Sequence, residues 1–243
     1  MLTRPEVLNA IVPLFKRPRY LEIGVSEGKT FHRIKARKKI AVDPDFRFDH
    51  EEEAARRKNC EYSQVTSDEF FGSIVQDCGR FDLIYLDGLH TADQTLRDLL
   101  NAIVYLKPEG VIVIDDVKPD GYIASIRDLE SFKRVRSHLE SESKSWMGDV
   151  YKIPFFIDTF LQQFTYRTVS DNHGQAVIWR KTRKAVTERS ISAVGEMDFE
   201  AFVASIDGLR LAPLADIVEE IRADLSGPDA PRPARAGKRK KEA

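Results

Sequence analysis

The sequence predicts an α/β fold built on a doubly wound, mostly parallel sheet, and three observations carry that prediction. Short apolar runs of β type alternate with segments of helical periodicity between residues 20 and 114, the rhythm of right-handed strand–helix–strand units. Two of those runs, 81–86 and 111–114, are apolar almost without a break, as strands buried on both faces must be. Four strand ends carry acids, at Glu22, Asp43, Asp87 and the pair Asp115–Asp116. In such sheets ligands bind beyond the carboxyl ends of the strands.

Taken in order, 5–16 has Val7, Leu8, Ile11 and Leu14 at helical spacing, and Pro5 suits a first turn. The first strand is 20–25, followed by a short helix over 28–34. A second strand, 39–42, stops at Asp43-Pro44-Asp45, and 48–58 is a polar helix. The third strand is 62–65, with a helix over 68–75. The fourth strand, 81–86, closes at Asp87-Gly88. Leu96, Leu99, Leu100 and Ile103 give 93–106 an apolar helical stripe before the fifth strand, 111–114.

Beyond Asp116 the pattern weakens. Residues 122–139 read as helix, and 146–151 and 153–164 are rich in aromatics. Residues 164–169 and 175–180 flank Asp171-Asn172-His173-Gly174 as a C-terminal antiparallel hairpin, since Asn and Gly supply turn conformations. Amphipathic helices near 198–206 and 211–225 are apolar enough to dock on the core or on a second copy in a homodimer. From 226 on, Pro, Ala, Gly and the run Lys238-Arg239-Lys240-Lys241 predict a disordered basic tail. The expected division is 1–185, a helical extension 186–225, and the tail 226–243.

Composition narrows the class. Hydrophobic residues make up 42% and charged residues 32% of 243, with a formal net charge of −1. That is a globular mixture, without the strongly basic balance of a general nucleic-acid binder. No run reaches membrane-spanning length. The first residues lack the apolar core of a signal peptide, and Cys60 and Cys78 have no metal-ligand spacing; the expected compartment is the reducing cytoplasm.

The most telling stretch is Arg19-Tyr-Leu-Glu22-Ile-Gly24-Val-Ser26-Glu-Gly28-Lys-Thr30, a strand delivered into a glycine-containing turn. Three ligand classes compete for it. A dinucleotide loop needs G-x-G-x-x-G, and Ser26 stands where the middle glycine belongs. A phosphate loop needs G-x-x-x-x-G-K-[ST]. Gly24 to Thr30 ends in Gly-Lys-Thr but is one residue short, and Glu27 puts a negative charge where a phosphate would lie.

The third class is S-adenosylmethionine. Glu22-x-Gly24-x-x-x-Gly28 resembles the first motif of class I methyltransferases, and the resemblance continues from Arg19 to about Asp120. It implies a Rossmann-like sheet of seven strands, one antiparallel. Asp43 falls where that family hydrogen-bonds the ribose hydroxyls, and Ser67 and Asp68 fall where it contacts adenine. The turn Leu106-Lys-Pro-Glu-Gly110 is typical of its approach to strand five. Ser26 lies within the first motif, and Thr30 is placed to hold the methionyl carboxylate. Glu22 either shapes the loop through backbone N–H groups or meets the methionyl ammonium.

Asp87, Asp115 and Asp116 would converge from neighbouring strands, and three carboxylates without a cation repel one another. Oxygen donors suit Mg²⁺, and this set resembles the metal site of catechol-type and sugar O-methyltransferases. The plainer alternative is that Asp115 or Asp116 caps the next turn. His90, three residues beyond Asp87, is the candidate general base, or else a cap of the following helix or a cofactor contact. The resemblance thus implies a Mg²⁺-assisted O-methyltransferase with Asp87 and His90 at the chemistry. The expected acceptor is a hydroxyl of a sugar, glycan or small natural product, walled by Tyr122, Trp146, Asp149, Tyr151, Phe155 and Phe156. A metal-independent N- or O-methyltransferase and a phosphate-loop NTPase or kinase are the alternatives.

Overall fold

A computed structural model describes residues 1–142 and 145–226; the expected basic tail from 227 onward lies outside them. Five parallel strands form the body of the sheet: β1 (Arg19–Ile23), β2 (Lys38–Val42), β3 (Cys60–Ser63), β4 (Phe81–Leu86) and β5 (Leu106–Ile114). A hairpin of β6 (Phe164–Val169) and β7 (Ala176–Arg180) closes it, β7 lying antiparallel to β5. The order is β3-β2-β1-β4-β5-β7-β6-β8. It reverses direction between β1 and β4, and that switch point is where open α/β sheets place their ligand cleft.

The eighth strand is the departure from the expected seven. β8 (Leu211–Ala212) pairs with β6 at the edge. The amphipathic pattern over 211–225 predicts the start of a helix here. Pro213 follows them, and the residue before a proline is pushed out of the helical region, so the helix starts only at Leu214.

Helices cover both faces. On one side lie α1 (Arg4–Ile11) and α9 (Leu214–Ser226). On the other are α4 (Ala92–Tyr105), α6 (Ile153–Phe160) and an irregular helical stretch. That stretch opens as α3 (Ser67–Glu69) and continues as π and 3₁₀ turns to Asp77, where one regular helix was expected. α2 (His50–Arg56) is capped by Asp49, which accepts from Glu52 N–H at 2.9 Å. α5 (Leu129–His138) occupies only the second half of the expected helix over 122–139, because Asp128 caps it by accepting from Ser131 N–H at 2.7 Å. α7 (Ile191–Gly195), not foreseen, and α8 (Phe199–Ala204) form a small third core with Tyr151 and Phe155.

The C-terminal helix docks on its own chain. Leu214, Ile217 and Ile221 are buried against the α1 side, and Trp179 Nε1–H donates to Asp224 at 2.8 Å. Burying each such side chain is worth about 1.5–3 kcal/mol. Among the described residues no helix is long and apolar enough to cross a membrane.

Candidate functional site

The carboxyl ends of β1, β2 and β4 frame a cleft of about 730 Å³. Glu22, Gly24, Ser26, Thr30, Asp43, Ser67, Asp68 and Asp87 all line it. Gly28, expected among them, instead turns the loop at φ +71° and packs behind it against His32.

Gly24 explains the loop's shape. Its φ is +83°, and a Cβ there would stand 1.9 Å from the backbone oxygen of Asp87. Only glycine lets the first loop touch the end of β4. Asp43 then ties the loop down, accepting from the N–H groups of Val25 at 2.7 Å and Ser26 at 2.8 Å, and from Asp45 N–H at 2.8 Å. The loop-shaping role offered to Glu22 therefore belongs to Asp43. The same bonds remove the phosphate-loop reading in physical terms, since the amides that would cradle a phosphate are spent on a carboxylate. Lys29, at the rim of the cleft, is exposed and pairs with Glu27. The expected helix over 28–34 is a single 3₁₀ turn, Phe31–Arg33, which follows Thr30.

Glu22 is buried and accepts from the Tyr20 hydroxyl. Burial pushes its carboxyl up to about 8, against the pull of that hydrogen bond and of Lys39. At the far end of the cleft Gln94 Nε2 donates to Ser67 Oγ, Asp68 Oδ1 and Asp98 Oδ1, each at 3.1 Å. Gln94 and Asp98 were not foreseen; both sit on α4, on the face toward Ser67.

Asp87, Asp115 and Asp116 do converge at the ends of β4 and β5. Asp115 and Asp116 are 2% and 3% exposed, and Asp116 takes a left-handed φ of +59°. Cationic and imidazole side chains crowd the acids, leaving between Asp87, His90, Asp115 and Asp116 a cavity of only about 10 Å³. Arg4, from the first turn of α1, hydrogen-bonds Asp115 through Nε and lies 3.4 Å from Asp116 and 3.7 Å from Asp87. His173 Nε2 meets Asp115 Oδ1 at 2.9 Å. His90 Nδ1 lies 2.7 Å from Asp116 Oδ2, although off the line of a hydrogen bond, and its Nε2 is 3.9 Å from Asp87.

Charge follows this arrangement. Burial, then the neighbouring Asp115 and Asp116, push the Asp87 carboxyl well above the usual range. Burial and Asp115 raise Asp116 as well. Burial alone would raise Asp115 too, but the His173 bond and Arg4 hold it below the ordinary carboxylate value. The negative charge of the triad concentrates on the acid that has the most partners.

As they stand, Asp87, Asp115 and Asp116 do not bring one oxygen each within 4.8 Å of the other two. Among the described residues, the triples whose donor atoms lie within 4.8 Å of one another are Asp87–His90–Asp116 and Asp115–Asp116–His173. Each includes an imidazole, whereas Mg²⁺ prefers oxygen donors in a near-octahedral set.

His90 is not the cap of α4. Thr91 and Asp149 do that work, Asp149 accepting from Ala92 N–H at 2.7 Å. The His90 ring stacks on Trp146 at 5.1 Å and 24°. Gly148 makes this possible, because a Cβ there would meet the His90 carbonyl oxygen at 1.7 Å. A second cavity, about 510 Å³, adjoins the first and is lined by Arg4, His90, Asp116, Ser145, Trp146, Met147 and His173. Of the expected acceptor wall only Trp146 belongs to it. Asp149 is a buried cap, Tyr151 and Phe155 lie in the third core with Phe156 packed against it, and Tyr122 is exposed beside Phe199.

Arg4 and His173 escaped sequence reasoning. For His173 the residues gave only the hairpin turn; that the turn sits at the carboxyl end of β5 follows from the register, with Ile114 opposite Ala176, and not from any sequence signal. Arg4 carried none.

Comparison with known proteins fits this picture. Residues 21–117 match the family model described as a methyltransferase domain. No curated protein sequence matches the chain. Among solved structures, a putative caffeoyl-CoA O-methyltransferase from Staphylococcus aureus is 13% identical, with 74% of this chain and 85% of that one covered at a TM-score of 0.52. The O-methyltransferase TomG from Streptomyces achromogenes, in complex with SAM, is 13% identical, with 74% and 82% covered and a TM-score of 0.49. MycE of the mycinamycin biosynthetic pathway, in complex with Mg, SAH and mycinamycin VI, is 15% identical, with 72% and 48% covered and a TM-score of 0.46. The first of these likenesses bears on the fold. The family match spans the motif series from Glu22 to Asp116, so residues 21–117 are similar to a methyltransferase domain.

Proposed function

We propose that this protein methylates a hydroxyl group of a sugar, glycan or small natural product, with His90 as the proton acceptor. One observation carries the reading: His90 and Arg4 line both the larger cleft and the second cavity, so the imidazole stands where a methyl donor and an acceptor would meet. The second cavity mixes an indole face with polar side chains, which suits a hydroxylated acceptor.

Bound in the larger cleft, S-adenosylmethionine would supply an electrophilic methyl group, lost from sulfur as the acceptor oxygen bonds to it. Glu22 lines the cleft as a buried acid that a methionyl ammonium would ionise. Asp43, which holds the loop, would meet the ribose hydroxyls, and Ser67 and Asp68, which also line the cleft, would meet the adenine. Asp116, 2.7 Å from Nδ1, would stabilise the imidazolium formed when His90 accepts the proton that the hydroxyl gives up. Holding oxygen and methyl carbon in line supplies much of the acceleration. Because the three carboxylates, as they stand, do not bring one oxygen each within 4.8 Å of the other two, no step is assigned to a metal.

Calorimetry with S-adenosylhomocysteine and with ATP tests the cofactor, and ATP binding alone would sink the reading. A mass-spectrometric screen of hydroxylated acceptors for the gain of one methylene then identifies the substrate.

A further inference from the structure

We infer that the guanidinium of Arg4 is the resident cation of the acid triad, standing where a divalent metal would stand, and that α1 is thereby part of the active site. This rests on the reading that the chemistry takes place at Asp87 and His90.

The contacts are the first ground. One side chain reaches all three acids, bonding Asp115 and lying 3.4 Å from Asp116 and 3.7 Å from Asp87. Other partners crowd the same acids: His173 on the other oxygen of Asp115, His90 on the other oxygen of Asp116, and the Tyr85 hydroxyl at 3.3 Å from the Asp87 oxygen nearest Arg4. A planar guanidinium suits this arrangement, since it offers five N–H donors in a fixed fork and keeps its charge.

Position is the second ground. An arginine in the first turn of a helix faces the positive end of the macrodipole, so helix stability does not explain Arg4. The acids do. The helix is independently fixed in place: Leu2 N–H donates to the Asp171 carbonyl at 2.9 Å, Thr3 and Glu6 form a capping box, and Val7, Leu8 and Ile11 are buried. The Asp171–Gly174 turn thus holds α1 on one side while His173 holds Asp115 on the other. Arg4 also borders both cavities, so it is a positioning residue for the triad at the point where donor and acceptor meet.

The test is Mn²⁺ titration of the full chain, followed by the electron paramagnetic resonance of the free ion, on wild type and on Arg4→Met. S-adenosylhomocysteine affinity is measured in parallel. The expected result is no stoichiometric Mn²⁺ site in wild type and one in Arg4→Met, at least ~10-fold tighter than any wild-type binding. Arg4→Lys, which keeps the charge, should resemble wild type and covers the case in which Arg4→Met does not fold. Wild-type methyl transfer should survive EDTA without loss. One equivalent of Mn²⁺ on wild type, no Mn²⁺ on either protein, or activity lost in EDTA and restored by Mg²⁺ would each overturn the inference. Failure to bind S-adenosylhomocysteine sinks the methyltransferase reading instead and leaves the metal result standing.

Discussion

The two halves of the site are built by different means. The cofactor half is local: Gly24, Asp43 and the ends of β1 and β2 lie within a short stretch of chain, and its shape is set by backbone geometry and backbone N–H groups. The chemical half is assembled from distant segments: Arg4, Asp87 with His90, Asp115 with Asp116, Trp146, and His173. A local, backbone-made site tolerates little change at its glycines. An assembled site depends on side chains whose removal leaves the fold intact and the chemistry damaged.

The sharpest way to break the first half is Gly24→Ala. The added Cβ would meet backbone rather than a flexible side chain. The cost should exceed the ~1–3 kcal/mol of an ordinary overpacked site. S-adenosylhomocysteine binding by calorimetry should be lost, with a lower melting temperature. For the second half, His90→Ala should lower kcat about 10²–10⁴-fold while cofactor affinity stays near wild type. A matching collapse of cofactor binding would mean that the two halves are not separable.

Glu22 tests the join between them through pH. Its carboxyl is raised in the folded state to about 8, so the stability it contributes is fully present below its unfolded value and is lost as pH rises through about 8. Glu22→Gln should therefore match wild type near pH 4–5 and exceed it above pH 8 by on the order of a few kcal/mol in chemical denaturation. If an ammonium ionises Glu22 on binding, cofactor binding to wild type should release a proton below pH 8. Calorimetry in buffers of different ionisation heat would show it.

The smallest expected effect is Trp146→Leu, which removes the ring stacked on His90. Stacking of this kind is worth ~0.5–1.5 kcal/mol. The rate should fall by a corresponding factor of about ten or less, read as kcat with the melting temperature nearly unchanged.

Much of this was legible in the residues. The strand-end acids, the glycine spacing and the apolar runs are local signals, and they located the cleft and seven strands, five parallel and two of the hairpin, in order. The eighth strand was missed because Pro213 converts a helical pattern into an edge pair, and the aromatic wall was misread because burial in a third core leaves the same composition as a binding surface. Asp149 looked functional and is a helix cap, a difference that composition cannot encode.

The sequence by itself determined the sheet, the cleft at its switch point and the acids around it, because strand periodicity and positive-φ glycines act over a few residues. Tertiary structure alone decided which cation meets those acids. Arg4 is separated from Asp115 by 111 positions and His173 by 58, and nothing in either neighbourhood announces the pairing. Buried carboxylates demand a partner but do not specify it; the packing of α1 and the turn of the hairpin do.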